Sequence, residues 1–171
     1  MKCATTVPFL GGFLAACFAA AAPAQIASAT LAPTAGNTAS GSVTFTQKGD
    51  KVTVSAKLSG LAAGGHGFHI HEKGDCSAPD GMSAGGHFNP TGKPHGSPDA
   101  ADHHAGDLPM LQAYASGNAS LTADLGGLTI GTGATDIVGK SVILHKDADD
   151  YKTQPTGNSG ARIACGVINK T

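Results

Sequence analysis

The chain has 171 residues, enough for one domain with an extension, and its formal net charge is -1 at pH 7. Only 13% of the residues are charged, and no basic patch stands out. The composition therefore argues against a nucleic-acid partner.

The N-terminus has the pattern of an export signal. Lys2 supplies a positive charge, an apolar run extends from Val7 to Ala22, and small residues follow at cleavage spacing. The run is short for a bilayer core and consists mostly of Ala, Gly and Phe, which argues against a transmembrane anchor. We predict a signal peptide over residues 1–24, with cleavage as late as residue 29 as the alternative.

These features predict an exported, periplasmic protein whose mature form has no stable membrane span. Leu14-Ala15-Ala16-Cys17 also resembles a bacterial lipoprotein cleavage site. A lipid anchor at Cys17 is therefore the alternative location.

Residues 25–39 are rich in Ala, Thr and Pro, and we predict that they form an N-terminal linker before a domain over residues 40–171. Short β-favouring runs separated by turn residues follow, and several of them alternate apolar and polar positions. The chain has 25 glycines, and no stretch after the signal sustains a helical period. This pattern predicts an all-β sandwich or barrel. The clearest predicted strands are Gly41–Thr46, Val52–Leu58, Gly67–His71, Ser116–Ala123, Val142–His145 and Arg162–Ile168.

The strand signal disappears between Gly74 and Pro109, where Gly, Pro, Asp, Ser, Asn and His predominate. A loop this long is unusual in a compact domain, and its low apolar content cannot order it by burial alone. Metal binding and a disulfide would supply the missing order. Cys76 and Cys165 are the cysteines outside the signal region, and in an exported domain they suggest one disulfide, with two buried free thiols as the alternative.

Seven of the eight histidines lie between Gly65 and Asp107. His69 and His71 alternate on a predicted strand, so both rings point to one face with Cα atoms roughly 6.6 Å apart. That separation allows both imidazoles to bind one metal ion. A lone histidine such as His145, at the end of an apolar strand, is more often structural, but the His69/His71 pair favours it as a ligand. The candidate ligands are His66, His69, His71, His87, His95, His103, His104, Asp107 and His145.

Several motifs occur in the order found in one protein family, and together they span the chain from about residue 40 to Ile168. They are Gly67-Phe68-His69-Ile70-His71 with Gly74-Asp75, Ser83-Ala84-Gly85-Gly86-His87-Phe88-Asn89-Pro90, His95-Gly96, His104-Ala105-Gly106-Asp107-Leu108, and Ala161-Arg162-Ile163-Ala164-Cys165-Gly166-Val167-Ile168. These motifs resemble copper/zinc superoxide dismutases. The resemblance implies a Greek-key β-sandwich or barrel with long metal-binding loops.

The resemblance also implies two metal sites that share one histidine. The copper ligands would be His69, His71, His87 and His145, and the zinc ligands would be His87, His95, His104 and Asp107. His87 would bind both ions as a bridging imidazolate. Six histidines and one aspartate with one shared ring make two four-coordinate sites, in agreement with this assignment.

Further roles follow from the same resemblance. Asp149 would hydrogen-bond one copper and one zinc ligand, although a carboxylate in Asp147-Ala148-Asp149-Asp150 is otherwise typical of a solvated turn. His66 would brace backbone near the copper, and His103 matches no ligand position. Arg162 would attract and orient the anionic substrate beside the copper. Cys76 and Cys165 would form the intrasubunit disulfide.

We therefore predict an exported superoxide dismutase that converts superoxide into oxygen and hydrogen peroxide by copper redox cycling, with structural zinc and a proton path through His87. A non-catalytic copper-binding module would be expected to lack ligands or the arginine. A binuclear zinc hydrolase would need a general base, for which only Asp107 and Glu72 are near, and neither lies in a hydrolase-like motif.

The segment from Asp150 to Gly160, which carries a longer charged guiding loop in cytosolic family members, is short here. This leaves open whether Lys73 or Lys146 helps to steer superoxide. A homodimer also stays open, because subunit interfaces differ between family members.

Overall fold

The computed structural model describes residues 23–171, so nearly all of the predicted signal peptide, with Cys3 and Cys17, lies outside the described residues. The regular secondary structure of the described part consists of β-strands and one 3-10 turn, η1, at Met82–Ala84. Its ten strands are β1 (Gln25–Pro33), β2 (Ser40–Lys48), β3 (Lys51–Ser59), β4 (Gly64–His66), β5 (Phe68–His71), β6 (Leu111–Ala113), β7 (Ala119–Gly126), β8 (Ser141–His145), β9 (Arg162–Val167) and β10 (Asn169–Lys170).

The strands form one antiparallel sheet in the order β4-β6-β7-β3-β2-β1-β9-β8-β5, and β10 pairs with β1. The strands at the two ends of this order, β4 and β5, follow each other in the chain with only Gly67 between them. The sheet therefore curls into a nearly closed barrel. Neighbours that are distant in sequence, such as β3 with β7 and β5 with β8, make the Greek-key connections. The predicted fold class is confirmed.

The barrel core follows from the alternation seen in the sequence. In β3 the buried positions are Val52, Val54, Ala56 and Leu58, and the residues between them are more exposed. Side chains from β1, β2, β5 and β8 complete the core, including the fully buried Phe45 and Phe68. Each fully buried large apolar side chain contributes about 1.5–3 kcal/mol, so the barrel is a rigid scaffold for the loops outside it.

The predicted linker over residues 25–39 is wrong for most of its length. Gln25–Pro33 forms β1, which pairs with β2 along seven positions from Gln25 to Leu31 and then with β9 at Ala32 and Pro33. Ala27, Ala29 and Leu31 are buried in the core. Alanine has low β-propensity, so its alternation with polar residues is only a weak strand signal. The strand forms because its neighbours β2 and β9 pair with it.

Two long loops lie outside the barrel at β5, β8 and β9. One runs from β5 to β6 and carries His87, His95, His103, His104 and Asp107, and the other runs from β8 to β9 and carries Asp149. The remaining candidate histidines lie on the strands β4, β5 and β8. Within residues 23–171, no helix has the length and hydrophobicity needed to cross a membrane.

Candidate metal centre

The outer edge of β5 is paired by backbone from the long β5–β6 loop. The Ile70 N–H donates to Gly106 O at 2.8 Å, and the Ile70 carbonyl accepts from Phe88 N–H at 2.8 Å. These bonds place His87 opposite His71 and Asp107 opposite His69. A loop without an apolar core of its own is thereby held in register with the strand.

Four histidines converge beside this edge with their ring nitrogens within 4.8 Å of one another, and we call them the four-histidine cluster. All four are buried. His69 and His71 come from β5, His145 comes from the end of β8, and His87 comes from the loop. A register irregularity between Leu144 and His145 marks the point where His145 leaves the regular ladder.

A second buried set, the carboxylate cluster, shares His87 with the first and comprises His87, His95, His104 and Asp107. Asp107 Oδ1 lies 2.9 Å from His87 Nδ1 and 3.0 Å from His95 Nδ1. Asp107 Oδ2 instead accepts the N–H groups of Gly96 at 3.1 Å and His104 at 2.9 Å. One carboxylate oxygen is thus fixed by backbone while the other faces the histidine nitrogens.

Backbone carbonyls set the tautomers of two rings in the four-histidine cluster. His71 Nδ1 lies 2.9 Å from Gly85 O, and His145 Nδ1 lies 3.1 Å from Gly160 O. A carbonyl only accepts, so each Nδ1 carries the proton and each Nε2 presents a lone pair. The two Nε2 atoms lie 3.4 Å apart. Two neutral rings repel each other through these facing lone pairs, and a metal ion bound to both would remove the repulsion.

Two further ring nitrogens of the four-histidine cluster are buried and have no hydrogen-bond partner in the described part of the chain. They are His69 Nδ1 and His87 Nε2. His69 donates its other ring proton, on Nε2, to Asp149 Oδ2 at 2.6 Å. A buried polar atom without a partner is costly, and a metal ion bound by these lone pairs would remove that cost. The residues present therefore fit two metal ions that share His87.

Burial keeps the four-histidine cluster uncharged. It lowers the pKa of His145 to about 3 and that of His87 to about 4, with further lowering from neighbouring histidines. It also holds the pKa of His71 well below its usual value and lowers that of His69. Neutral imidazoles are the form that binds metals.

In the carboxylate cluster, by contrast, hydrogen bonds favour the charged forms of a histidine and of the aspartate. Burial lowers the pKa of His95, but its hydrogen bonds to Asp107 and Asp149 outweigh burial and raise it to about 9. Burial likewise acts against ionisation of Asp107, yet hydrogen bonds from His104, His87 and His95 hold its pKa far below the usual range. A site that stabilises a protonated histidine between two carboxylates also attracts a divalent cation.

Asp149 joins the two clusters. Its Oδ2 accepts from His69 Nε2 at 2.6 Å, and its Oδ1 lies 3.0 Å from His95 Nε2. Only 5% of the residue is exposed, so it is not the solvated turn carboxylate that the local sequence would otherwise suggest. Burial opposes ionisation of Asp149, but the hydrogen bonds from His69 and His95 prevail and its pKa is lowered.

Arg162 lies at the start of β9, and backbone carbonyls hold its guanidinium. Its Nη1 donates to Gly81 O at 2.7 Å and its Nη2 donates to Gly85 O at 2.6 Å. The residue is half-buried and lines a cavity of about 600 Å³ together with His145, Met82 and Asp80. The cavity therefore connects solvent with a histidine of the four-histidine cluster. Neither Lys73 nor Lys146 lines it.

Cys76 and Cys165 form a disulfide with their Cα atoms 5.8 Å apart, so the predicted pairing is confirmed. Cys76 lies in the β5–β6 loop and Cys165 in β9, three residues beyond Arg162. The bond ties the loop that carries Gly81 and Gly85 to the strand that carries Arg162.

Three candidate residues lie outside both clusters. His66 Nδ1 is 2.9 Å from His145 O and its Nε2 is 2.9 Å from Ala62 O, so this ring contacts backbone next to a cluster histidine. His103 is half-buried and contacts His104 O at 2.6 Å. Glu72, considered above as a hydrolytic base, is exposed and accepts the Gly86 N–H at 3.2 Å.

Sequence reasoning missed the carbonyl groups of Gly81, Gly85 and Gly160. They orient His71, His145 and Arg162, yet a backbone acceptor has no side chain that a motif could reveal. The one available signal is glycine itself in the loop, because Gly85 has φ 75° and ψ -153°, a conformation that only glycine adopts readily.

Comparison with known proteins agrees with this geometry. A family model described as copper/zinc superoxide dismutase (SODC) matches residues 39–168. The extracellular superoxide dismutase (Cu-Zn) of Caenorhabditis elegans is 43% identical over 136 residues, which are 75% of this chain and 60% of that protein. The superoxide dismutase (Cu-Zn) of Deinococcus radiodurans is 42% identical over 139 residues, which are 75% of this chain and 76% of that protein.

A solved structure gives the same result for the fold. The crystal structure of the clock protein EA4 superposes with a TM-score of 0.77 at 38% sequence identity, covering 85% of this chain and 94% of the other. The chain thus spans less than two thirds of the nematode relative and nearly all of the EA4 chain.

Proposed function

The chain belongs to the copper/zinc superoxide dismutase family, and we propose the following function and roles for its residues. Two superoxide anions and two protons are converted into oxygen and hydrogen peroxide. The cofactors are copper and zinc: copper, alternating between Cu(II) and Cu(I), supplies the electron transfer, and zinc is structural. The observation that carries the proposal is the pair of buried four-ligand clusters with His87 in common.

The four-histidine cluster is the copper site. His69 offers Nδ1, because its Nε2–H donates to Asp149, and His71 and His145 offer Nε2, because their Nδ1–H groups donate to carbonyls. His87 offers Nε2, which has no hydrogen-bond partner among residues 23–171. An all-imidazole set suits an ion that must change oxidation state.

The carboxylate cluster is the zinc site. His87 and His95 offer Nδ1 beside Asp107 Oδ1, and His104 Nδ1 lies 3.3 Å from His87 Nδ1. Three imidazoles and one carboxylate without an open position are typical of structural zinc. Asp149 orients one ring of each site, and His66 braces the backbone at His145.

Arg162 captures the substrate. Two of its N–H groups are used by Gly81 O and Gly85 O, which fix the guanidinium, and the remaining N–H groups are left for a small anion in the cavity beside His145. Since neither Lys73 nor Lys146 lines this cavity, steering at short range depends on Arg162.

His87 is the proton donor. Its Nε2 is buried, lies in the copper site and has no hydrogen-bond partner within the described part of the chain. The Nε2 lone pair can hold copper or a proton but not both at once, so a proton would lie at this atom only while Nε2 is not bound to copper. The ring can therefore deliver a proton without opening the site to bulk water.

One experiment tests the shared site directly. The purified mature protein should contain one copper and one zinc per chain and should dismutate superoxide. In the derivative with Co(II) in place of zinc, magnetic coupling through the His87 ring should largely remove the Cu(II) electron paramagnetic resonance signal. The signal should return in His87→Ala loaded with the same metals.

Two results would contradict the assignment. An undiminished Cu(II) signal in the wild-type cobalt derivative, with both sites shown to be full, would mean that His87 does not bridge. Two zinc ions per chain, with no dismutation after copper loading, would contradict the enzyme itself.

The protein is exported to the periplasm, with a signal peptide over residues 1–24. The disulfide and the extracellular relative fit an exported protein. Cleavage before Gln25 retains the whole of β1, whereas cleavage after residue 29 would remove the buried Ala27 and Ala29. The intact mass of the exported protein distinguishes these cleavage sites from lipidation at Cys17, which would add an acyl mass. Gel filtration of the same sample tests for a homodimer.

A further inference from the structure

The substrate cavity contains an exposed methionine to which the proposed reaction gives no role. Met82 belongs to η1, is 60% exposed, and lines the same cavity as His145 and Arg162. Most of the other lining side chains are alcohols, amides, alanines and a proline, which peroxide does not oxidise readily. A methionine thioether is oxidised by peroxide.

Hydrogen bonds hold the backbone of the turn around Met82, whereas the residue itself is largely exposed. Asp80 Oδ1 accepts the Met82 N–H at 3.0 Å, and Met82 O accepts the Gly85 N–H at 3.1 Å. The carbonyls that hold Arg162 belong to Gly81 and Gly85, on either side of η1. The thioether is therefore carried on the short turn that positions the anion-binding guanidinium.

We propose that Met82 is a modification site, converted to methionine sulfoxide by hydrogen peroxide, and that the sulfoxide slows anion capture at Arg162. The proposal rests on the proposed function, in which peroxide is the product and Arg162 captures the anion. The sulfur attacks one peroxide oxygen, the O–O bond breaks, the S=O bond forms and water leaves. The sulfur loses two electrons and the peroxide gains two.

The sulfoxide changes the chemistry of the cavity mouth. A thioether is a weak hydrogen-bond acceptor, whereas the sulfoxide oxygen is polar and carries partial negative charge. Arg162 has N–H groups that are not used by Gly81 O or Gly85 O. The sulfoxide oxygen would compete with superoxide for these donors and would repel an approaching anion.

Met110 provides a matched internal control. It is half-buried, and its sulfur lies against Gly65, away from the cavity. Its backbone N–H donates to Tyr151 Oη at 2.7 Å. We therefore expect peroxide to reach Met82 first.

The test treats the metal-loaded mature protein with hydrogen peroxide and follows both methionines by peptide mass spectrometry. Met82 should be oxidised at least roughly five-fold faster than Met110. The dismutation rate and the azide affinity should fall as Met82 is oxidised, and methionine sulfoxide reductase should restore both. Met82→Leu should show no reductase-reversible fall.

Each other outcome overturns the proposal. Equal or slower oxidation of Met82 would show that the thioether is not a preferred site. Unchanged azide affinity with Met82 fully oxidised would remove its effect on anion capture, and a reversible fall of the same size in Met82→Leu would assign the effect elsewhere. The oxidation and azide measurements require no turnover, so they remain informative even if the protein does not dismutate superoxide.

Discussion

Replacing Asp149 by asparagine tests whether this residue links the two metal sites. The side chain is buried and accepts from His69 Nε2 at 2.6 Å and from His95 Nε2 at 3.0 Å. Asparagine keeps the shape but exchanges one oxygen for an NH₂ group, so one ring faces a donor instead of an acceptor. That ring loses the bond that keeps its proton away from the metal.

The substitution should not affect the His69 and His95 rings equally. Asp149 Oδ1 also accepts the Tyr151 N–H at 2.7 Å, so the asparagine oxygen stays on this side and still accepts from His95. The NH₂ group then faces His69, whose Nε2–H loses its acceptor. Loss of a hydrogen-bond partner of a metal ligand costs about 10–100-fold in affinity, which is about 1.4–2.7 kcal/mol. We expect copper affinity to fall by this amount and zinc affinity to fall less.

The measurement is competition with chelators of known affinity for each metal. Asp147→Asn is the matched control, because Asp147 is exposed in the same turn and lies outside both metal-binding clusters. Copper affinity that stays within about two-fold of the wild type in Asp149→Asn would refute the linking role.

Three other changes test different parts of the proposal. Arg162→Ala should keep both metals but lose roughly ten-fold in rate, about 1.4 kcal/mol, and bind azide more weakly; an unchanged rate at low ionic strength would exclude a role in capture. Breaking the Cys76–Cys165 disulfide, which closes a loop with a sequence separation of 89, should lower the free energy of unfolding by up to roughly 4–5 kcal/mol in denaturant titrations, and an unchanged midpoint would contradict this. Zinc affinity should depend on pH more steeply than copper affinity between about pH 5 and 8, because His95, with its pKa raised to about 9, must release a proton while His145, with its pKa lowered to about 3, is already neutral. Chelator competition at both pH values checks the order, and a steeper dependence for copper would refute it.

The strands that sequence reasoning identified are those with β-branched or aromatic residues at alternate positions. Val52 and Val54 in β3 and Val142 in β8 are examples, and they lie in the core as expected. β1 was missed because its buried residues are mostly alanine, and β4, β6 and β10 are two or three residues long. Such short strands exist because their partners fix them, and no local pattern carries that information.

The histidines and the aspartate of the two clusters could be selected from the sequence because His-x-His and the surrounding motifs are unusual. Which nitrogen of each ring faces the cluster could not be predicted. For His71 and His145 it depends on the carbonyls of Gly85 and Gly160, and for His69 on Asp149, 80 positions away. Those contacts exist only after the loops have folded over the barrel.

Gly85 shows why one loop serves both copper binding and substrate capture. Its carbonyl accepts from His71 Nδ1 at 2.9 Å and from Arg162 Nη2 at 2.6 Å, so one peptide orients a proposed copper ligand and the anion-binding side chain together. A Cβ at this position would collide with Glu72, whose carboxylate holds the next peptide at Gly86. The disulfide anchors the same loop to β9 close to Arg162. The distance between the proposed anion site at Arg162 and the proposed copper site is therefore set by one peptide, and any change that moves this peptide should alter metal geometry and substrate capture at the same time.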